Sequence, residues 1–157
     1  MPTFRNLKDL ERFANAQILQ SISVNLALEN LFAEAMYDVI WTNVYSVYEP
    51  IEYERREEDG GLLDERNMRF TEHIPISSKL ISSLFENLAE GKDTMEGQYI
   101  SEMIEKGIKE PYNNPDGIWA EPRPFTSDTT RYLNTAKNSE LLQAFKAGLI
   151  RQGLKVR

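Results

Sequence analysis

The side chains that most often carry catalysis or bind metal are scarce in this sequence. It holds one histidine, His73, and no cysteine, which excludes zinc sites of the Cys/His kind, cysteine nucleophiles and iron–sulfur ligation. A histidine-dependent acid–base mechanism would have His73 alone to work with. That residue lies between Glu72 and Ile74 in a segment with strand-like alternation, where a surface or strand-edge imidazole is the simpler reading. The carboxylates Glu54, Glu57, Glu58 and Asp59 could hold a cation or supply a glycosidase pair. Arg55 and Arg56 sit inside that run and compensate its charge, as on a solvated loop rim. The segment Lys92 to Gly97 resembles a calcium loop at its glycine only: the first and twelfth positions would be Lys92 and Met103, where an EF-hand needs Asp and Glu. Walker, GxGxxG, GxSxG and HExxH signatures are all absent. An enzyme would have to rest on acids such as Glu52, Glu54 and Asp64 converging in one pocket. The sequence therefore reads as a non-enzyme without cofactor or metal.

The chain has 157 residues and a formal charge of −7, with 41% apolar and 27% charged residues. These values suit one globular domain over residues 1–157, with 1–24 as an arm or separate helix. A chain of this size buries roughly 68–70% of its extended-chain surface, enough for a core without staples. The acidic balance and dispersed cations argue against nucleic-acid recognition. Lys146, Arg151, Lys155 and Arg157 enrich the C-terminal end, where cations complement a helix dipole. The uncharged stretch Leu19 to Leu28 contains Gln, Ser and Asn and falls far short of the roughly 20 apolar residues that span a bilayer. Charges of both signs in MPTFRNLKDLERF do not suit a signal peptide, so the expectation is a soluble protein that folds where it is made, with no membrane partner.

From Leu7 to Val44 apolar residues recur at three- and four-residue steps. One unbroken helix over that span would be about 57 Å long, against a radius of gyration of about 15 Å for a domain of this length. Either the helix breaks near Ser21-Ile22-Ser23-Val24-Asn25, or its first part is an arm on another subunit; Asn25 to Val44 is the more secure helix. Ile51 to Arg56 and Met68 to Ile76 alternate as two strands. The loop between them contains Gly60 and Gly61, read as suppliers of positive φ. Pro75 ends the second strand or puts it at an edge. Lys79 to Ala89 suits a short helix or a further strand. Gly97 to Gly107 reads as a helix stopped by its glycine. Lys109 to Pro124 is a loop with four of the seven prolines. Phe125 onward returns to helix with Ser127 or Asp128 as cap. Leu141, Leu142, Phe145, Leu149 and Ile150 mark a closing amphipathic helix ended by Gly153. The layout is α+β: a long N-terminal helix, a small antiparallel sheet and further helices, without the βαβ rhythm of a dinucleotide fold.

Two segments are unusual for plain loops. In the first, Tyr48, Tyr53, Arg55 and Arg56 precede Gly60-Gly61-Leu62-Leu63-Asp64; it is either a hairpin folded back onto the core or an interface rich in Tyr and Arg. In the second, Trp119 leads to Pro122-Arg123-Pro124-Phe125, where two prolines stiffen the approach to a helix. The pattern Tyr-x-Pro-x-x-Tyr-x-Arg-Arg with Gly-Gly-Leu-Leu-Asp, from Tyr48 to Asp64, resembles one in small virion proteins of long-tailed bacteriophages of Gram-positive hosts. Ile104-Glu105-Lys106-Gly107 and Pro122-Arg123-Pro124-Phe125 resemble the E-x-G and R-P-F elements of the phage head-to-tail joining and tail-completion (neck) family.

The resemblance implies a structural virion assembly protein, a subunit of a homo-oligomeric ring, often sixfold, that joins the head connector to the tail. Its partners would be itself, a connector or head-closure protein, and a tail-tube or tail-terminator protein. Its place would be the neck of the virion, and the host cytoplasm during assembly. Arg55, Arg56, Gly60, Gly61, Leu62 and Leu63 would shape a loop important to fold or contacts, and Arg123, Pro124 and Phe125 would lock the closing helix onto the sheet. The chain departs from the family in a longer insertion before Arg123 and in lacking an Asp-Thr-Gly-x-Leu stretch, to which Gly60 to Asp64 is the nearest feature. Tail completion, head closure and minor tail protein are all open positions. The alternative outside this class is a small cytoplasmic helix-mediated interaction or regulatory module.

Overall fold

The computed structural model describes residues 3–23, 25–47, 55–77, 80–91, 97–107 and 121–156. The architecture is α+β, with five α-helices and one two-stranded antiparallel sheet among the described residues. Helix α1 spans Leu7–Ser23 and α2 spans Leu26–Ile40, so the long apolar periodicity is divided where capping residues cluster. The Asn6 side chain caps α1 by accepting from Asp9 N at 2.9 Å. The Asn25 side chain caps α2 by accepting from Leu28 N at 3.3 Å. Beyond Ile40 the helix widens into a π-helical turn, Trp41–Tyr45.

Strands β1 (Met68–Ser77) and β2 (Leu80–Asn87) form a hairpin in which Met68 faces Asn87 and Phe70 faces Phe85. The stretch Lys79 to Ala89 is thus mainly a strand, Leu80–Asn87, paired with β1. Residues 51–54 lie outside the described residues, and Arg55 and Arg56 are not in a strand. Pro75 sits inside β1 next to a register shift; a two-stranded sheet has only edge strands, so its missing N–H disrupts no central ladder. Helix α3 spans Ile100–Lys106 and ends at Gly107 with φ 65°. Helices α4 (Phe125–Thr135) and α5 (Asn138–Arg151) close the fold.

The main core gathers around the second half of α2. Met36, Ile40 and Val44 meet Leu62 and Leu63 from the loop, Met68 and Phe85 from the hairpin, Ile104 from α3 and Phe125 from α4. Phe32, Phe70 and Phe85 add an aromatic group with centroid spacings of 5.0–5.3 Å. A smaller cluster of Leu31, Ala35 and Leu133 joins α2 to α4 and, through Leu141 and Ala144, to α5.

Candidate interaction site

The loop from Arg55 to Asn67 is held from several directions. Arg55 reaches back to the π-helical turn: its Nη1 donates to Tyr45 O at 3.0 Å and its guanidinium lies 4.7 Å from the Tyr45 ring centroid. Tyr45 in turn stacks with half-exposed Trp41. Arg56 reaches the other way and donates to Glu90 O, just past β2. The two adjacent guanidiniums therefore clamp the loop between the end of α2 and the base of the hairpin.

Gly60 and Gly61 serve two different needs. Gly60 adopts φ +76°, the left-handed region. Gly61 does not; a Cβ there would stand 2.5 Å from Glu57 O and 2.8 Å from Glu57 N, so the backbone approach itself demands glycine. The positive φ expected at both positions is found at Gly60 alone. After this tight crossing Leu62 and Leu63 enter the core almost wholly buried, as a loop folded back onto the core requires.

Asp64 closes the turn. Its buried carboxylate accepts from Gly60 N at 2.8 Å, Arg66 N at 3.0 Å and Arg66 Nε at 2.8 Å. The charge-assisted bonds from the Arg66 side chain, joined by the two backbone N–H groups, hold the Asp64 carboxyl well below the ordinary carboxylate range against the opposing effect of burial. Asn67 Nδ2 donates to Gly61 O at 3.2 Å, and buried Asn87 donates to Leu62 O at 2.7 Å while accepting from Ala89 N. Backbone groups of the loop thus find amide partners on both strands' side of the hairpin's open end, where Met68 faces Asn87.

The second motif pair meets in space. Arg123 N donates to Ile104 O at 2.9 Å, which lays the approach to α4 across the end of α3. Glu105 then accepts from Thr126 N at 2.8 Å and, more weakly, from Ser127 N at 3.4 Å. The cap of α4 therefore comes from a different helix, replacing the Ser127 or Asp128 cap expected from sequence. Pro124 stands at the N-cap position without a side-chain bond, and a tertiary carboxylate fills the need of the open N–H groups. Asp128 instead accepts from Asn43 Nδ2 at 2.7 Å and pairs with Arg131. Phe125, 1% exposed, fills the core beside α2 and α3.

Of the residues singled out from sequence, Arg55, Arg56, Gly60, Gly61, Leu62 and Leu63 form one loop, and Arg123, Pro124 and Phe125 form one junction. Leu62, Leu63 and Phe125 share a core, so the two segments are parts of one assembly. Tyr48, Tyr53 and Trp119 lie outside the described residues. Sequence reasoning missed Asn25, Asn67 and Asn87, whose buried or half-buried amides tie distant backbones; only the capping tendency of Asn marked the first of them. His73 lies on β1, with Nδ1 3.0 Å from Ser83 Oγ and its ring against Phe70. Among the described residues no cluster of His, Asp and Glu could hold a metal ion, and no helix is long and apolar enough to cross a membrane. What this surface presents instead is apolar: Ile74, Ile76, Leu80 and Leu84 stand exposed along the hairpin, on strands that among the described residues pair only with each other.

No curated protein and no solved structure matches this chain. Residues 6–151 match the YomN family, which takes in α1 through the end of α5 and so both motif segments. The chain belongs to the YomN family, a phage-derived family of the kind of gene product found in Bacillus phage SPBc2.

Proposed function

We propose that this protein is a structural subunit of a ring in the phage neck, joining the head connector to the tail by protein contacts alone, in tail completion or head-to-tail joining. The observation that carries the reading is the union of the two resembling elements: Glu105 of Glu105-Lys106-Gly107 caps the helix that Arg123-Pro124-Phe125 opens. Elements matched separately in sequence act here as one structural unit, which supports a shared fold rather than two chance matches. The phage derivation of the YomN family supports the same setting. A ring subunit needs two different complementary faces, and the exposed apolar hairpin offers one. Its partners in this reading are further copies of itself, a connector or head-closure protein, and a tail-tube or tail-terminator protein, with its place in the virion. Light scattering on the purified protein, alone and mixed with connector or tail-tube protein, tests this. A closed ring formed with those partners is the expected result; a stable dimer indifferent to them would overturn the reading in favour of a regulatory module.

A further inference from the structure

Charge is unevenly divided along the chain. Residues 26–107 carry eighteen Asp and Glu against seven Lys and Arg, whereas residues 121–157 carry seven Lys and Arg against three Asp and Glu. The acidic part includes an open groove of about 480 Å³ between β2, α3 and the start of α4, lined among others by Leu84, Glu86, Tyr99, Glu102 and Glu105. Among the described residues no Lys or Arg lines it. Leu84 and Tyr99 are nearly half exposed there. Glu105 is engaged with α4, so among the described lining residues Glu86, which also accepts from the neutral Thr71 hydroxyl, and Glu102 are the carboxylates left to meet an incoming cation. Glu102 pairs with Lys106 at the surface with both side chains about two-thirds exposed, a pair weak enough in water to be exchanged.

The basic part ends in α5, whose inner face packs on α1 and α2 through residues such as Ala144 and Gly148. Its outer face carries Leu142, Lys146 and Ile150 at four-residue steps, all exposed. This is one helical stripe, apolar at both ends with a cation at its centre. An amphipathic stripe of this kind is what an apolar groove rimmed by carboxylates accepts.

We propose that the Leu142–Lys146–Ile150 stripe of one copy docks in the β2–α3 groove of a second copy, with Lys146 meeting Glu86 and Glu102. The stripe and the groove are different surfaces, so the contact is head to tail and each added copy presents a fresh groove or a fresh stripe; such a contact closes into a ring when the rotation allows. It rests on the ring reading only in taking a second copy as the occupant.

The test is sedimentation velocity of the native protein over a concentration series at low and high salt, with Lys146→Glu and Glu102→Lys as exposed variants whose folding is checked by circular dichroism. Native self-association is expected to weaken as salt rises, and each variant alone to associate at least about tenfold more weakly. An equimolar mixture of the two variants should recover association, because the reversed stripe of one meets the reversed groove of the other. Ile150→Asp should lose association with either partner. A native protein that stays monomeric at low salt, variants that associate as well as the native chain, or a mixture no better than its components would each overturn the proposal. Its fate is separable from that of the neck reading: recovery by mixing with no binding to connector or tail-tube protein would uphold the contact and refute the neck role. Connector-dependent rings insensitive to Lys146 and Glu102 would do the reverse.

Discussion

Substitutions at Gly60 and Gly61 should separate two physical requirements that lie one residue apart. At Gly61 a Cβ would approach Glu57 O to 2.5 Å and Glu57 N to 2.8 Å, where ordinary contact begins at 3.4 Å. Both atoms are backbone, so the turn must move, at an overpacking cost of about 1–3 kcal/mol. That movement also disturbs Gly61 O, which accepts from Asp64 N at 3.3 Å and Asn67 Nδ2 at 3.2 Å, each bond contributing about 1 kcal/mol. Gly61→Ala should therefore cost about 3–5 kcal/mol. At Gly60 the added Cβ meets only Arg56 Nη1 at 3.7 Å, and the obstacle is φ +76° alone. Asn visits this region readily, so Gly60→Asn should cost under about 1 kcal/mol, while Gly60→Ala bears about 1–2 kcal/mol of left-handed strain. In urea, with a slope near 2 kcal/mol/M, Gly61→Ala should lower the midpoint by about 1.5 M or more and Gly60→Asn by no more than about 0.5 M, with slopes unchanged. A Gly61→Ala protein with the native midpoint, or a Gly60→Asn protein as damaged as Gly61→Ala, would refute this account of the turn.

Removing the cap of α4 by Glu105→Ala should cost about 1 kcal/mol, with Glu105→Gln recovering part of it because an acceptor survives without the charge that favours a helix N-terminus; equilibrium denaturation of the three proteins measures it. Asp64 titrates lower in the folded chain than in the unfolded one, so its contribution is fully present above the unfolded value of about 3.9 and is lost as pH falls through that value towards the folded one. Stability should therefore decline below about pH 4, and Asp64→Asn should flatten the decline in a urea series across that range; equal slopes for the two proteins would count against the Arg66 clasp. Phe125→Ala empties a site that is 1% exposed and should cost about 3–5 kcal/mol, a large part of a typical domain's stability, visible as a marked fall in the thermal midpoint.

The helical half of the fold was legible because its signals are local. Periodicity marked α2 and α5, and the cluster around Ser21 to Asn25 marked the break that Asn25 caps. Gly107 marked the end of α3 through its own φ. The hairpin was only half legible: β1 alternates, but β2 carries exposed Leu80 and Leu84 beside buried Phe85, a pattern set by projection from the core rather than by one wet and one dry face. Pairing is non-local, so nothing within Leu80–Asn87 announced that it would lie beside β1. The α4 cap was hidden for the same reason, since Glu105 precedes its partners by 21 and 22 residues. The motif segments could be noticed as unusual, but that Leu62, Leu63 and Phe125 would share one core depends on how α2 seats them both.

Asn25 sits where α1 gives way to α2, and its amide is claimed from far along the chain. Its Nδ2 donates to Ala144 O at 2.9 Å and its Oδ1 accepts from Arg151 Nη2 at 3.2 Å, across 119 and 126 residues of sequence. Gly148 lies so close that even a methyl group would meet the amide at 2.5 Å. During synthesis the first two helices therefore leave the ribosome long before these bonds to α5 can form. The hold that α5 exerts on this joint is therefore made last, when α5 arrives, and the tie between Asn25 and the C-terminal helix exists only in the finished chain.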